Sequence, residues 1–387
     1  MAAGPAAASV MSDAVGSVMH DDMIDPWRMQ LVEAVQANCD IADARHATDL
    51  SLCNYLLQMR EFFRWERGLP LGATLARDEV GAWIAEREAR WQAYETREYQ
   101  ALPLAAADAQ DGGQCIGTIN AFDVEAANAA LLPRGLLYGA GLVDGTRPVF
   151  FVAELHTLDV REGLQVQQAG HELARGLAAP PAALASAADG PIVLRRESMA
   201  RQCWERYEAF RLRPAPASAF GAVVRAYGFE RGFEQALPRW LDDHAEVALL
   251  HELGEYRIAR RVGAAWSAMR ALLPTRRAVL QAAALRDQLA DLASTLPALL
   301  ERSAAAPLHA WFAAYDGLRE ATFPGLADAY HAWRDGDGGH ALRDAVARGE
   351  AHFEALVQRL LACHATEGAA AGAALAALLD RADAVCA

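Results

Sequence analysis

No Cys-x-x-Cys pair and no zinc-ribbon spacing occurs among the six cysteines, which stand at positions 39, 53, 115, 203, 363 and 386. A chain of 387 residues that is 53% hydrophobic buries a core without covalent staples, so the cysteines imply a reducing compartment rather than a disulfide scaffold. Positive charge is also scarce: 36 Lys and Arg oppose 50 Asp and Glu, giving a formal charge of -14 and a pI near 5.3. Binding to nucleic acid draws on cations that neutralise phosphates, so no nucleic-acid partner is expected. Long apolar runs are missing as well, and the longest, Gly368 to Leu379, falls far short of the roughly 20 residues that span a bilayer. Residues 1–25 carry neither a basic leader nor an apolar run, but Asp13, Asp21 and Asp22 among small residues. They read as a disordered tail and not as a secretory signal. The expectation is a soluble, cytoplasmic protein with no membrane segment.

Signatures of nucleotide and acyl-transfer chemistry are absent too. There is no Walker loop and no Gly-x-Ser-x-Gly elbow. Gly135, Gly139 and Gly141 have the look of a dinucleotide loop but lie inside a strand pattern, so no nucleotide cofactor is indicated. No internal repeat of fixed period supports a solenoid.

What is present is mostly helical periodicity. Trp27 to Arg67 contains neither Gly nor Pro and reads as one or two helices, ended by Gly68 and Pro70. Arg77 to Tyr99 reads as another, with Val80, Trp83, Ile84, Trp91 and Tyr94 on its apolar side. The spacing gives a helical segment over 26–100, a linker over 101–114, a small α+β segment over 115–198 and a helical bundle over 199–387. In the middle segment, Leu136 to Val143 and Val149 to Leu155 flank the turn cluster Asp144-Gly145-Thr146-Arg147. Leu164 to Gln168 and Ile192 to Arg195 add short strands, separated by a short helix from His171 to Leu177. Three or four strands predict a small antiparallel sheet. The fold class is mainly α, with two or three domains.

Two polar constellations fall where a helix should be apolar. Stepping by four and three along 237–262 gives Leu237, Leu241, His244, Ala248, His251, Glu255, Ile258 and Val262 on one face. At about 100° per residue, Asp242, Asp243, Glu246, Arg257, Arg260 and Arg261 lie opposite, which makes the stripe the buried side. Buried imidazole and carboxylate groups need partners. A divalent metal would supply one for His244, His251 and Glu255, and nitrogen plus carboxylate ligands suit iron, manganese or zinc. Further ligands would come from His309, Glu301, Tyr315 or His331. A hydrogen-bonded core network without metal would satisfy the same groups. The string His251-Glu252-Leu253-Gly254-Glu255 departs from the zinc-protease pattern, because Glu255 replaces the second histidine. Glu252 is accordingly a weak catalytic candidate.

The second constellation spans 38–49. On a continuous helix Cys39, Asp43, His46, Leu50, Cys53 and Leu57 share a face; if Thr48 or Asp49 caps a new helix, the same residues line a turn. Cys39, Asp43 and His46 contain the parts of a nucleophile, base and orienting group, in no recognised order. Arg45, Arg60 and Arg64 are candidates for a small anionic ligand, the last two four apart. Pairing with Asp40, Asp43 and Glu61 is the structural alternative.

The strings Cys39-Asp40-Ile41-Ala42-Asp43-Ala44-Arg45-His46-Ala47, Met59 to Glu66 and His251 to Glu255 resemble a bacterial family known only as a domain of unknown function. The likeness runs from about residue 26 into the terminal bundle. It implies a shared fold and a bacterial origin, and nothing about chemistry. The expected function is therefore a divalent-metal protein that acts on a small anionic substrate. The rival is a non-catalytic interaction or scaffold protein whose polar stripes set helix pairing.

Overall fold

The computed structural model describes residues 25–105, 115–143, 146–180, 182–184 and 190–381. The expected tail over 1–25 lies almost wholly outside them. Asp25 accepts a hydrogen bond from the Trp27 amide at 2.9 Å and Pro26 occupies the first turn, two features that open a helix. Helix α1 (Pro26–His46) then threads the N-terminal half as its central core element, burying Trp27, Leu31, Val35, Cys39 and Ala42. The choice between one and two helices resolves as two. A short 3₁₀ turn at Ala47–Asp49 follows α1, and Ser51, rather than Thr48 or Asp49, caps α2 (Leu52–Glu66). Helix α3 (Arg77–Gln92) packs on both, ending before the expected Tyr99.

The stretch expected to be a linker contains strand β1 (Leu102–Ala105), which pairs antiparallel with β2 (Cys115–Ile119). Residues 106–114 are outside the described set. Helix α4 (Val124–Leu131), capped by Asp123, was not expected. Strands β3 (Leu136–Val143), β4 (Arg147–Arg161), β5 (Leu164–Arg175), β6 (Ala182–Leu184) and β7 (Ile192–Arg195) form a five-stranded sheet ordered β3-β4-β5-β7-β6. Glu162 and Gly163, at φ 53° and 84°, make the tight β4–β5 turn, the left-handed pair that a two-residue hairpin requires. The sheet is not wholly antiparallel, since β5 and β7 run parallel. Nor is there a helix at 171–177: β5 continues, with Glu172 opposite Ala153 and Arg175 opposite Phe151. Register shifts along β4–β5 break the alternation that marks a strand in sequence.

After Arg195 the chain is helical. Helices α5 (Arg196–Leu212) and α6 (Ala219–Tyr227) lead into the long α7 (Phe233–Ala271), which breaks at Gly263 (φ 57°). Helix α8 (Arg276–Ala290) passes into a π turn, Asp291–Thr295, and then α9 (Leu296–Glu301). The sequence reads as one helix over 275–300; the widening directly precedes Pro297, whose ring and missing N–H do not fit a regular α ladder. Helices α10 (Ala305–Phe312), α11 (Gly317–Thr322), α12 (Pro324–Arg334), α13 (His340–Glu367) and α14 (Gly372–Asp380) complete the bundle. Its core includes Trp266, Leu285, Leu289, Leu296, Phe353 and Leu356. Among the described residues no helix is long and apolar enough to cross a membrane.

One contact sets the geometry of the bundle's polar face. A Cβ on Gly254 would lie 2.7 Å from the Ala290 carbonyl oxygen and 2.9 Å from Ser294 Cβ, so only glycine lets α7 approach the end of α8 this closely. Ser294 Oγ seals the contact by donating to the Leu250 carbonyl at 2.7 Å. Gly254→Ala is expected to lower unfolding stability by about 1–3 kcal/mol through overpacking. Urea denaturation at neutral pH measures it, and an unchanged midpoint contradicts the close approach.

Candidate functional site

The Gly254 contact brings the polar stripe of α7 against the end of α8. His251 Nδ1 lies 2.9 Å from Asp291 Oδ1, and Arg319 of α11 donates to Asp291 Oδ2 at 3.0 Å. One turn further along α7, Glu255 receives Arg286 Nη2 on both oxygens at 3.0 Å, while His251 Nε2 is 3.9 Å from Glu255 Oε1. Asp287 completes the group: one ligand atom from each of His251, Glu255 and Asp287 lies within 4.8 Å of the others. Asp287 and Asp291 stand four apart on one helix face, a spacing that sequence inspection could have noticed.

The electrostatics follow from burial. Desolvation opposes a charge on His251, but the Asp291 carboxylate, helped by Glu252 and Glu255, outweighs it and raises the imidazole to about 9. Asp291 is buried, yet His251 and Arg319 hold it below the usual carboxylate range. Asp287 moves the other way, raised by burial and by its hydrogen bond to Glu255. Glu252 is raised to about 7 by burial, against the pull of His251.

His244 is not part of this group. It lies about two turns back on α7, where burial and then Arg206 lower it to about 4. Its side chain faces a cavity of about 320 Å³ that is also lined by Arg206, His251, Glu252, Asp291 and Arg319. The other proposed ligands are elsewhere: His309 bonds Tyr330 through Nδ1 at 2.8 Å, Tyr315 donates to the Phe323 carbonyl at 2.9 Å, and Glu301 and His331 are exposed. Asp287, Asp291, Arg206, Arg286 and Arg319 entered no reading of the sequence.

The N-terminal domain of a family of unknown function, DUF6866, matches residues 30–195, and the C-terminal domain of the same family matches 200–382. The chain belongs to the DUF6866 family. No curated protein and no solved structure matches it. The family resemblance seen in the strings around Cys39, Met59 and His251 is thus shown, and it carries no activity.

In the DUF6866 N-terminal domain, Cys39, Asp43 and His46 each bond a different partner. Cys39 Sγ donates to the Phe150 carbonyl at 3.2 Å, Asp43 accepts from the Leu177 amide at 2.8 Å, and His46 meets Asp49 at 3.1 Å. Burial, then Asp43 and Asp40, raise the Cys39 thiol well above its ordinary value, the reverse of what an activated thiolate needs. Burial also raises Asp43 to about 7, against the Leu177 hydrogen bond. The arginines expected to hold an anion are engaged within the protein. Arg45 donates to the Glu95 and Arg97 carbonyls and covers Tyr99. Arg60 binds Glu61 and Glu208, and Arg64 binds Glu61 and the carbonyls of Pro70 and Ala73. Asp40, Arg87 and Glu66 form another internal set joining α1, α2 and α3.

The His251–Asp291 pair predicts a pH dependence. His251 is raised from 6.5 in the unfolded chain to about 9 in the folded one, so its stabilisation is complete below about 6.5 and is lost as the pH rises through about 9. Asp291, being lowered, loses its contribution only in acid. Asp291→Asn removes the largest of the interactions that raise His251 and should bring its titration well below 9, as read by histidine-ring NMR. A titration that stays near 9 in the variant contradicts this account.

Proposed function

We propose that this protein binds a divalent metal ion through His251 Nε2, Glu255 and Asp287, and takes a small anion into the cavity beside them. The observation that carries the reading is the convergence of three ligand atoms within 4.8 Å, since metal–ligand bonds of about 2 Å require donors gathered to this degree. The position of Asp291 supports it, because a ligating histidine ordinarily has its other ring nitrogen fixed by a carboxylate. So does the Glu255–Asp287 pair: burial and its hydrogen bond to Glu255 raise Asp287, as happens when one carboxyl group is crowded by another, and a metal would relieve that repulsion. One nitrogen and two carboxylates suit iron, manganese or zinc.

His244, first grouped with the ligands, becomes a wall of the cavity in this reading. The anion-binding part expected of Arg45, Arg60 and Arg64 passes to Arg206 and Arg319, which line that cavity together with the carboxyl groups of Asp243, Glu252 and Asp291. Arg319 also braces Asp291, so the cavity and the metal site share a wall. The setting proposed is the cytoplasm, which suits the free thiols of Cys39, Cys53, Cys203 and Cys363.

A second reading is favoured by one specific observation. Arg286 already neutralises Glu255, and Arg319 already neutralises Asp291, so the same groups would serve as an ionic clamp joining α7, α8 and α11 in a non-catalytic scaffold. Metal content separates the two. Protein purified without chelator should contain near-stoichiometric iron, manganese or zinc by elemental analysis. His251→Ala and Asp287→Asn should each lose that metal while keeping the helical circular-dichroism spectrum, and His244→Ala should keep it. Absence of metal from the parent protein and from protein reconstituted with these ions, or its retention in His251→Ala, would refute the metal reading and leave the clamp.

A further inference from the structure

A second concentration of buried charge lies away from that site, where α2, β5 and α5 meet. Glu172 on β5 is fully enclosed, with Arg195 Nε donating to its Oε1 at 2.7 Å and Ser198 Oγ donating to the same atom at 3.4 Å. Arg175 Nη1 is 3.7 Å from the other oxygen, too far for a hydrogen bond. Arg201, one turn along α5 from Ser198, donates Nη2 to the Ala179 carbonyl. The side chains of Arg175 and Arg195 are 2% and 3% exposed, and that of Arg201 is 12% exposed.

Other carboxylates nearby are committed or lie outside. Glu61 accepts from Arg60 and Arg64, while Glu197 meets His171 Nδ1 and the Glu172 amide. Glu205, 3.7 Å from Arg201 Nε, is 46% exposed. Three guanidinium groups thus crowd around one buried carboxylate. Five of their nitrogens, Arg175 Nη2, Arg195 Nη1 and Nη2, and Arg201 Nε and Nη1, are buried with no hydrogen-bond partner among the described residues.

Ordered water can accept from some of these donors, but it cannot offset the surplus charge, and an uncompensated buried cation is costly. A guanidinium presents a planar fork that matches the oxygens of phosphate and carboxylate groups. We propose that this junction is an internal oxyanion site in which Arg175, Arg195 and Arg201 receive a phosphate-type group. Burial, reinforced by Arg201, also lowers Arg175 to about 9, as expected where positive charge is in excess. A groove of about 880 Å³ lined by residues of α1, α2, α3 and β5 runs beside the junction: Trp65 and Glu172, two of its lining residues, both neighbour the Arg175 guanidinium, and the three arginines lie behind that wall rather than on it. Arg195 closes the N-terminal family domain and Arg201 lies at the start of the C-terminal one, so an anion held here ties the two together.

The test is thermal unfolding of the full chain at constant ionic strength, with inorganic phosphate replacing chloride. A specific site raises Tm in proportion to the logarithm of phosphate concentration above Kd. Arg201→Gln and Arg195→Gln should weaken the apparent phosphate affinity at least tenfold. Glu172→Gln, which removes the competing carboxylate, should strengthen it several-fold, a change of sign that no purely structural ion pair produces. His251→Ala should leave the effect intact, which separates this site from the metal-site proposal. No phosphate-specific rise in Tm, or a rise that persists in both arginine variants, overturns the assignment. So does a rise that Glu172→Gln fails to strengthen.

Discussion

With no side chain on Gly254, α7 closes onto the Ala290 carbonyl at the point where α8 widens into its π turn. The polar face of the bundle depends on that approach. It puts His251 within 2.9 Å of Asp291 and leaves Glu255 facing Asp287 and Arg286. A methyl group at the interface would push the helices apart, and hydrogen-bond and metal-ligand geometries tolerate only a few tenths of an ångström. The π turn contributes from the other side, because Asp291 is its first residue and Ser294 within it bonds back to α7. Irregular turns of this kind recur at functional sites.

A common rule links this face to the N-terminal half: charge is taken inside and then matched. Asp40 is answered by Arg87 and Arg90, Glu61 by Arg60 and Arg64, and Asp291 by His251 and Arg319. Such pairs cost desolvation, so their net effect on stability is small, but breaking one strands the other. Those that cross between elements, Asp40 to Arg87 and Asp291 to Arg319, fix which helix meets which. The departures from matching carry the functional argument: a carboxyl pair with too little positive charge at Glu255 and Asp287, and an arginine group with too little negative charge around Glu172.

Periodicity made much of the fold legible. The polar stripe of α7 and the limits of β3 and β7 follow from local chemistry. The C-terminal half of β5 was not legible, because its pairing with β4 slips register and erases the alternation that identifies a strand. Helix α4 was missed between a strand and a turn, where eight residues give too few periods to register. Of the metal candidates, His251 and Glu255 come together with Asp287, while His244 faces a cavity whose wall His251 shares but Glu255 and Asp287 do not. Shared helical phase places side chains on one face without saying which of them reach the same point.

The sequence by itself determined the helical class, the presence of strands in the middle and the inward turn of His251 and Glu255, because these depend on residue spacing within a single element. Which carboxylate meets which imidazole was decided only in three dimensions. Asp287, Asp291 and Arg319 lie 32 to 68 residues beyond Glu255 and His251 in the chain, and the crowding of Arg175, Arg195 and Arg201 joins two strands to a helix across two domains. Partners at such separations are selected by the packing of whole elements, through close contacts such as that at Gly254, and local spacing holds no record of that packing.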